Sequence, residues 1–125
     1  IPDSTVIITN PTHYAVALKY KHGEFSAPQL VAKGKNLIAQ RIRETGKHSN
    51  VPVVEIPALA RAIHESTAIG SVIHKDLFAI VAKLLAYIFE LEKGKQIKEL
   101  FPTESEVPKE LDPESPEFKK KRNHK

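Results

Sequence analysis

A single α/β domain is the fold class that this sequence predicts, and three observations point to it. Four segments, at 4–9, 14–18, 29–34 and 51–56, have the length and composition of strands, and the first and last of them are rich in β-branched residues. The segments between and after these runs carry apolar residues at helical spacing. The chain has 125 residues, 41% of them hydrophobic, which is enough for one domain with a buried core.

The first two strands, residues 4–9 and 14–18, are separated by a short turn that begins with Asn10 and Pro11. A turn this short predicts an antiparallel hairpin. A polar connection with Gly and Pro follows, and residues 29–34 are then the third predicted strand.

Residues 35–48 are predicted to form a helix, which ends near Gly46 because glycine relieves the left-handed position there. Polar and charged side chains fill one side of this helix. The core-facing side is predicted to carry Leu37, Ile38, Ile42 and Thr45.

The fourth strand, residues 51–56, is followed by Pro57, which favours the first turn of a short helix over residues 58–65. A helix between the third and fourth strands makes those two strands parallel if they are neighbours. The prediction is therefore a compact domain with a mixed sheet of about four strands and helices packed on its faces.

The longest predicted helix, residues 77–93, has two apolar stripes rather than the one that a core-facing surface needs. The second stripe contains Phe78, Ala82, Leu85 and Phe89. Two interpretations stay open. The helix is either sandwiched between the sheet and neighbouring helices, or its Ala82 and Leu85 side is a docking patch for a partner.

The composition changes near residue 101, so the predicted organisation is a domain at 1–100 and a tail at 101–125. The tail is rich in proline and charge and has few large apolar side chains. It is therefore predicted to be disordered or only partly ordered.

Composition excludes several function classes. The chain has no Cys, and its six His residues show no metal-ligand spacing, so neither a metal nor a cofactor is expected. It has no glycine-rich phosphate loop and no nucleophile elbow. A net charge of +4 without interleaved aromatic residues does not indicate nucleic-acid binding. The chain opens on Ile1 and contains no Met, which favours a fragment of a longer protein.

The Asn10–Pro11 bond offers an unusual reaction. Asparagine normally deamidates after attack by the next backbone N–H, but Pro11 has none. The Asn10 side-chain amide nitrogen can instead attack its own main-chain carbonyl carbon and expel the Pro11 nitrogen. This reaction is slow unless the fold holds Asn10 in a near-attack geometry. Thr12 and His13 are the nearby groups that could shape the turn or assist proton transfer.

The motif Asn10-Pro11-Thr12-His13, with its flanking strands, resembles the self-cleaving cytoplasmic domain of the FlhB/YscU family of type III export switch proteins. The flagellar branch is matched better than the injectisome branch. The similarity extends over residues 3–93 and includes four further segments: Ser26 to Gly34, Ile38 to Glu44, Val51-Pro52, and Pro57 to Ile63.

This resemblance implies a cytoplasmic domain attached to an inner-membrane protein of the export gate. It implies cleavage between Asn10 and Pro11, with both pieces staying together. It also implies a switch from rod and hook subunits to filament subunits, prompted by the hook-length control protein. Exported subunits are expected to dock on a patch of four residues: Ala27, Pro28, Ala82 and Leu85.

The leading hypothesis is thus a secretion-switch domain that makes one intramolecular cut and is not a turnover enzyme. A pure interaction module, with Asn10–Pro11 as a simple turn, is the alternative. A hydrolase that uses His64 and Glu65 beside a serine has no support from spacing.

Overall fold

The structure of the chain is a computed structural model that describes residues 1–11, 13–21 and 27–122. The strands are β1 (Val6–Asn10), β2 (Tyr14–Lys19), β3 (Gln29–Lys35) and β4 (Val53–Glu55). The helices are α1 (Asn36–His48), α2 (Pro57–Ser66), α3 (Phe78–Glu92) and α4 (Pro116–Arg122). Short 3-10 turns cover Lys75–Leu77, Lys98–Leu100, Glu104–Glu106 and Lys109–Leu111.

The four strands form one mixed sheet in the order β3-β2-β1-β4, which confirms the predicted fold class. β1 pairs antiparallel with β2 and parallel with β4, and β2 pairs antiparallel with β3. β3 and β4 are not neighbours but lie at opposite edges, because α1 carries the chain across the whole sheet. β1 therefore has a partner on each side.

Successive side chains of the central strands point to opposite faces of the sheet, and both faces are buried. Val6 and Ile8 of β1 point into a core shared with α2 and α3, whereas Ile7 points into a smaller core beneath α1. All three side chains are fully buried. The domain is therefore a three-layer sandwich with β1 at its centre.

The predicted core face of α1 was partly wrong. Leu37 and Ile38 are 74% and 57% exposed, and the helix instead buries Ala39, Ile42 and Gly46. Hydrophobicity favours Leu37 and Ile38 as core residues, but the side of the helix that meets the sheet has room mainly for small residues.

Gly46 lies within α1 and has no left-handed backbone, so its predicted role was also wrong. A Cβ atom at Gly46 would lie 2.1 Å from Cδ1 of Ile7. Glycine there allows the helix to approach the sheet closely. The left-handed position after this helix belongs to Asn50, with φ 60°.

The first apolar stripe predicted for the longest helix consists of Leu77, Ile80, Val81, Leu84, Ile88 and Leu91. All of them except Leu91 are buried in the core. The last member, Leu91, is 43% exposed. The helix ends before Gly94, whose φ of +82° suits a residue without a Cβ.

The segment after residue 100 has only short elements, within the prediction of a disordered or only partly ordered tail. Residues 101–122 form short 3-10 turns and α4, and Val107 joins the core beside α2 and α3. Proline prevents one long helix, but isolated apolar side chains still anchor a chain of short turns. The predicted tail continues to residue 125, and residues 123–125 lie outside the described part.

Across residues 1–11, 13–21 and 27–122, no helix is long and apolar enough to cross a bilayer. The same residues contain no cluster of three or more side chains suited to holding a metal ion.

Candidate functional site

The loop between β1 and β2 is a tight turn. The backbone N–H of His13 donates a hydrogen bond of 3.0 Å to the carbonyl oxygen of Asn10, which is the bond that closes a four-residue β-turn. Pro11 occupies the second position of this turn, where its fixed φ is favourable. Thr12 lies outside the described residues.

Three further hydrogen bonds fix the ends of this turn. Asn36 N–H donates to His13 O over 3.0 Å, and Ile56 N–H donates to Thr9 O over 3.1 Å. The hydroxyl of Thr9 also donates to Val54 O over 3.3 Å. Because these partners come from the starts of α1 and α2 and from β4, the turn is held from several directions.

The hydrogen bond to the Asn10 carbonyl has a chemical consequence. This carbonyl carbon is the one that the Asn10 side chain would attack, and its oxygen would gain negative charge. An N–H already directed at that oxygen can stabilise the charge without rearrangement. The side chain of His13 is exposed.

A polar cluster that sequence reasoning missed lies behind the turn. Tyr14, which pairs with Asn10, packs edge-to-face on His64 with ring centroids 5.0 Å apart. Lys35 Nζ lies 5.4 Å from the Tyr14 ring centroid. Lys33 Nζ donates to His64 O and Thr67 O over 2.9 and 2.8 Å, and so satisfies carbonyls at the end of α2.

Burial lowers the pKa of His64, and the positive charges of Lys33 and Lys35 lower it further, although the carboxylate of Glu65 opposes them. The His64 ring is therefore favoured in its neutral form, as a packing partner for Tyr14. The contact between Tyr14 and His64 could not be predicted from sequence spacing, because the two residues lie on different elements.

The second candidate site is an apolar groove of about 360 Å³ beside α3. It brings together all four residues of the predicted patch and four more that extend it. The lining residues are Tyr20, Ala27, Pro28, Phe78, Ala82, Leu85, Ala86 and Phe89.

The lining of the groove includes both buried and exposed side chains. Pro28 is buried and its carbonyl accepts a 3.0 Å hydrogen bond from Ile73 N–H, while Leu85 is also buried. Ala82 and Phe78 are exposed. The sequence identified the α3 side of the groove through its second stripe, but it gave no signal for Tyr20 or Ala86.

The turn and the groove lie at opposite ends of β2. Tyr14 begins this six-residue strand next to the turn, and Tyr20 follows its last residue and lines the groove. At about 3.3 Å per residue, the two sites are separated by roughly 20 Å. A cut in the turn therefore removes no atom from the groove.

Sequence comparison identifies related proteins. The profile of the FlhB HrpN YscU SpaS family matches residues 1–88. Flagellar biosynthetic protein FlhB of Escherichia coli is 44% identical over 115 residues, and that of Salmonella typhimurium is 45% identical over 115 residues. Each alignment covers 90% of this chain and 30% of the relative, so the chain spans about 30% of the length of these proteins.

Solved structures agree with the sequence matches. The cytoplasmic domain of FlhB from Shewanella putrefaciens superposes with a TM-score of 0.78 at 38% identity, covering 89% of this chain and 88% of that one. A mutated EscU C-terminal domain superposes with a TM-score of 0.64 at 36% identity, covering 68% of this chain and 84% of that one.

Proposed function

Because its profile matches most of the chain, the protein belongs to the FlhB HrpN YscU SpaS family, and we propose that it cuts its own backbone between Asn10 and Pro11. The observation that carries this proposal is the 3.0 Å hydrogen bond from His13 N–H to the Asn10 carbonyl oxygen, within a turn held at both ends.

The proposed reaction begins when the Asn10 side-chain nitrogen attacks the Asn10 main-chain carbonyl carbon. A carbon–nitrogen bond forms, one proton leaves the side-chain nitrogen, and negative charge develops on the oxygen that faces His13 N–H. The carbon–nitrogen bond to Pro11 then breaks, and the Pro11 nitrogen takes up a proton. The products are a succinimide at the end of residues 1–10 and a new chain that starts at Pro11.

The reaction consumes its own nucleophile. Asn10 supplies both the attacking nitrogen and the carbonyl carbon, so each molecule can react once. We therefore place the protein among single-turnover self-processing proteins. Water, or the exposed imidazole of His13, is the proposed proton acceptor.

The fold favours retention of the short product. β1 has five paired positions with β2 and three with β4, and Val6, Ile7 and Ile8 are fully buried. Burial of an aliphatic side chain stabilises by about 1.5–3 kcal/mol. Residues 1–10 should therefore stay in the sheet after the bond has broken.

Intact mass spectrometry of the denatured protein tests the cleavage. We expect the native sequence to give two species, residues 1–10 and 11–125, and Asn10→Ala to give one uncut chain. Pro11→Ala restores a backbone N–H, so we expect slower cleavage together with deamidated uncut protein.

Asn50→Gly is a matched control, because it removes another asparagine side chain while tolerating the positive φ at that position. This variant should be cut like the native chain. A native chain that stays whole after days at neutral pH would support the alternative, an interaction module in which residues 10–13 are only a turn. Acidic handling must be avoided, because the Asp112–Pro113 bond is acid-labile.

We further propose that the parent protein lies in the bacterial inner membrane, with this domain in the cytoplasm among other export-gate proteins. There it would take part in changing export from rod and hook subunits to filament subunits, prompted by the hook-length control protein. Its similarity to flagellar biosynthetic proteins supports this assignment.

Within that role, the apolar groove beside α3 is the proposed docking site for exported subunits. Replacing the exposed groove residue Ala82 with Glu should reduce hook-subunit secretion at least severalfold, because a charge would enter an apolar contact. Ala79→Glu is the matched control, since Ala79 is exposed on α3 outside the groove lining.

Secretion should be measured by immunoblotting culture supernatants of strains that carry each full-length variant at equal abundance. Equal secretion by the Ala82→Glu and Ala79→Glu strains would argue against docking in the groove.

A further inference from the structure

Residues 101–115, here called the strap, cross the domain from α3 to α2. The strap starts at Phe101, whose ring packs edge-to-face on Tyr87 of α3 at 5.0 Å. It continues through Val107, which is 4% exposed within the core cluster. It ends beside Arg61 of α2.

Arg61 makes the strongest polar contact of the strap. Its Nε and Nη2 donate to the two carboxylate oxygens of Asp112 over 2.8 and 3.0 Å, which is a bidentate pair. Arg61 Nη1 also lies 3.6 Å from Glu114 Oε2. The side chains of Arg61 and Asp112 are only 11% and 14% exposed, so solvent screens this pair weakly.

A second ion pair joins Lys83 Nζ of α3 to Glu106 Oε1 over 2.7 Å. Because both side chains are about one-third exposed, this pair contributes little by itself but sets the position of Val107 beside it. Two carboxylates therefore bracket one buried aliphatic side chain.

Several backbone hydrogen bonds of the strap are made within the strap itself. Glu106 N–H donates to Thr103 O, Leu111 N–H to Pro108 O, and Ser115 N–H to Asp112 O. Thr103 and Glu106 also form a capping box. The described contacts with α2 and α3 are made by side chains, as in a folded peptide that docks on a preformed surface.

We propose that Arg61, Lys83 and the apolar site between α2 and α3 that Val107 fills together form a binding site for an acidic peptide segment of a partner protein, and that the strap is its intramolecular occupant. The segment that fits has an acidic residue directly before an aliphatic one, as in Glu106–Val107. It has further carboxylates five and seven residues after the aliphatic one, as in Asp112 and Glu114. Charge complementarity and the buried anchor carry this assignment.

Covalent attachment gives the strap a high effective concentration at the site. A partner segment should therefore bind weakly to the native chain and more tightly when the strap is released. The release variant is the full chain with Val107→Asp and Asp112→Asn. The probe is a fluorescent peptide that spans residues 103–116, measured by anisotropy.

We expect the release variant to bind this peptide at least tenfold more tightly than the native chain does. A second peptide keeps the acidic residues at positions 106, 112 and 114, has Ile at position 107 and differs at the other positions. Its affinity for the release variant should be within severalfold of that of the first peptide. Adding Arg61→Gln to the release variant should abolish binding of both peptides, whereas adding Arg41→Gln, at an exposed arginine of α1, should not.

Three results would overturn the proposal: equal binding to native and release chains, no binding to the release chain, or binding of the first peptide alone. Circular dichroism shows whether the release variant is folded. If it is unfolded, the full chain with Val107→Ala and Asp112→Asn, a milder change at the buried anchor, takes its position in the same comparison.

Discussion

At the level of single residues, the Asn10 carbonyl oxygen already accepts a hydrogen bond from the N–H that would stabilise its negative charge. The sequence alone predicted the available reaction, because the chemistry of Asn before Pro is local. It could not predict this hydrogen bond, or those from Asn36 and Ile56, because they depend on how distant elements meet. The docking residues Ala27 and Pro28 likewise came from family resemblance rather than from any local pattern.

His64 leads to a prediction about pH. Its pKa is lowered mainly by burial, so the unfolded chain binds a proton at His64 more readily than the folded chain does. The folded state is favoured at pH values above the ordinary histidine value of 6.5, and this contribution is lost as the pH falls through the lowered pKa. The free energy of unfolding should therefore decrease on acidification below about pH 6.5.

Urea denaturation from pH 7.5 to 5 measures this dependence. His64→Gln should flatten the fall in unfolding free energy, because glutamine does not titrate. His48→Gln, which alters an exposed histidine at the end of α1, should leave the fall unchanged. If the His64→Gln and native profiles keep the same slope, His64 is not the responsible group.

At the level of elements, α1 shows why a correct helix prediction can assign the buried face only partly correctly. Periodicity located the helix, but Leu37 and Ile38 are exposed, while Ala39 and Gly46 are buried. Burial on this face is decided by how closely the helix approaches the sheet. That distance depends on the size of Ile7 opposite, which belongs to another element.

Gly46→Ala should therefore destabilise the domain by about 1–3 kcal/mol, because its Cβ would overlap Cδ1 of the buried Ile7 and force repacking. The better helix propensity of alanine offsets part of this cost, by up to about 1 kcal/mol. Chemical denaturation gives the difference in unfolding free energy from the native chain.

A second substitution makes the cause testable. Ile7→Val removes Cδ1, so the Gly46→Ala and Ile7→Val changes together should cost less than the sum of their separate effects. Strict additivity of the two changes would show that the close approach is not the cause.

At the level of the whole molecule, strand and helix types followed from the sequence, but the order of the strands did not. Local pattern could not show that β4 would join β1 rather than β3, because either edge accepts a parallel strand. The strap was predicted to be flexible from its prolines and charges. Its attachment depends on Arg61 and Asp112, which are 51 residues apart and carry no shared local signal.

Because β1 lies inside the sheet, the proposed cut would turn the domain from a single folded chain into a complex of two chains. Before cleavage, folding is a reaction of one chain. After cleavage, residues 1–10 and 11–125 form a two-chain complex whose larger member would lack an interior strand of its sheet if the short one left. Folding of the cut domain then becomes an association between molecules, so its melting temperature depends on protein concentration, whereas that of the uncut domain does not.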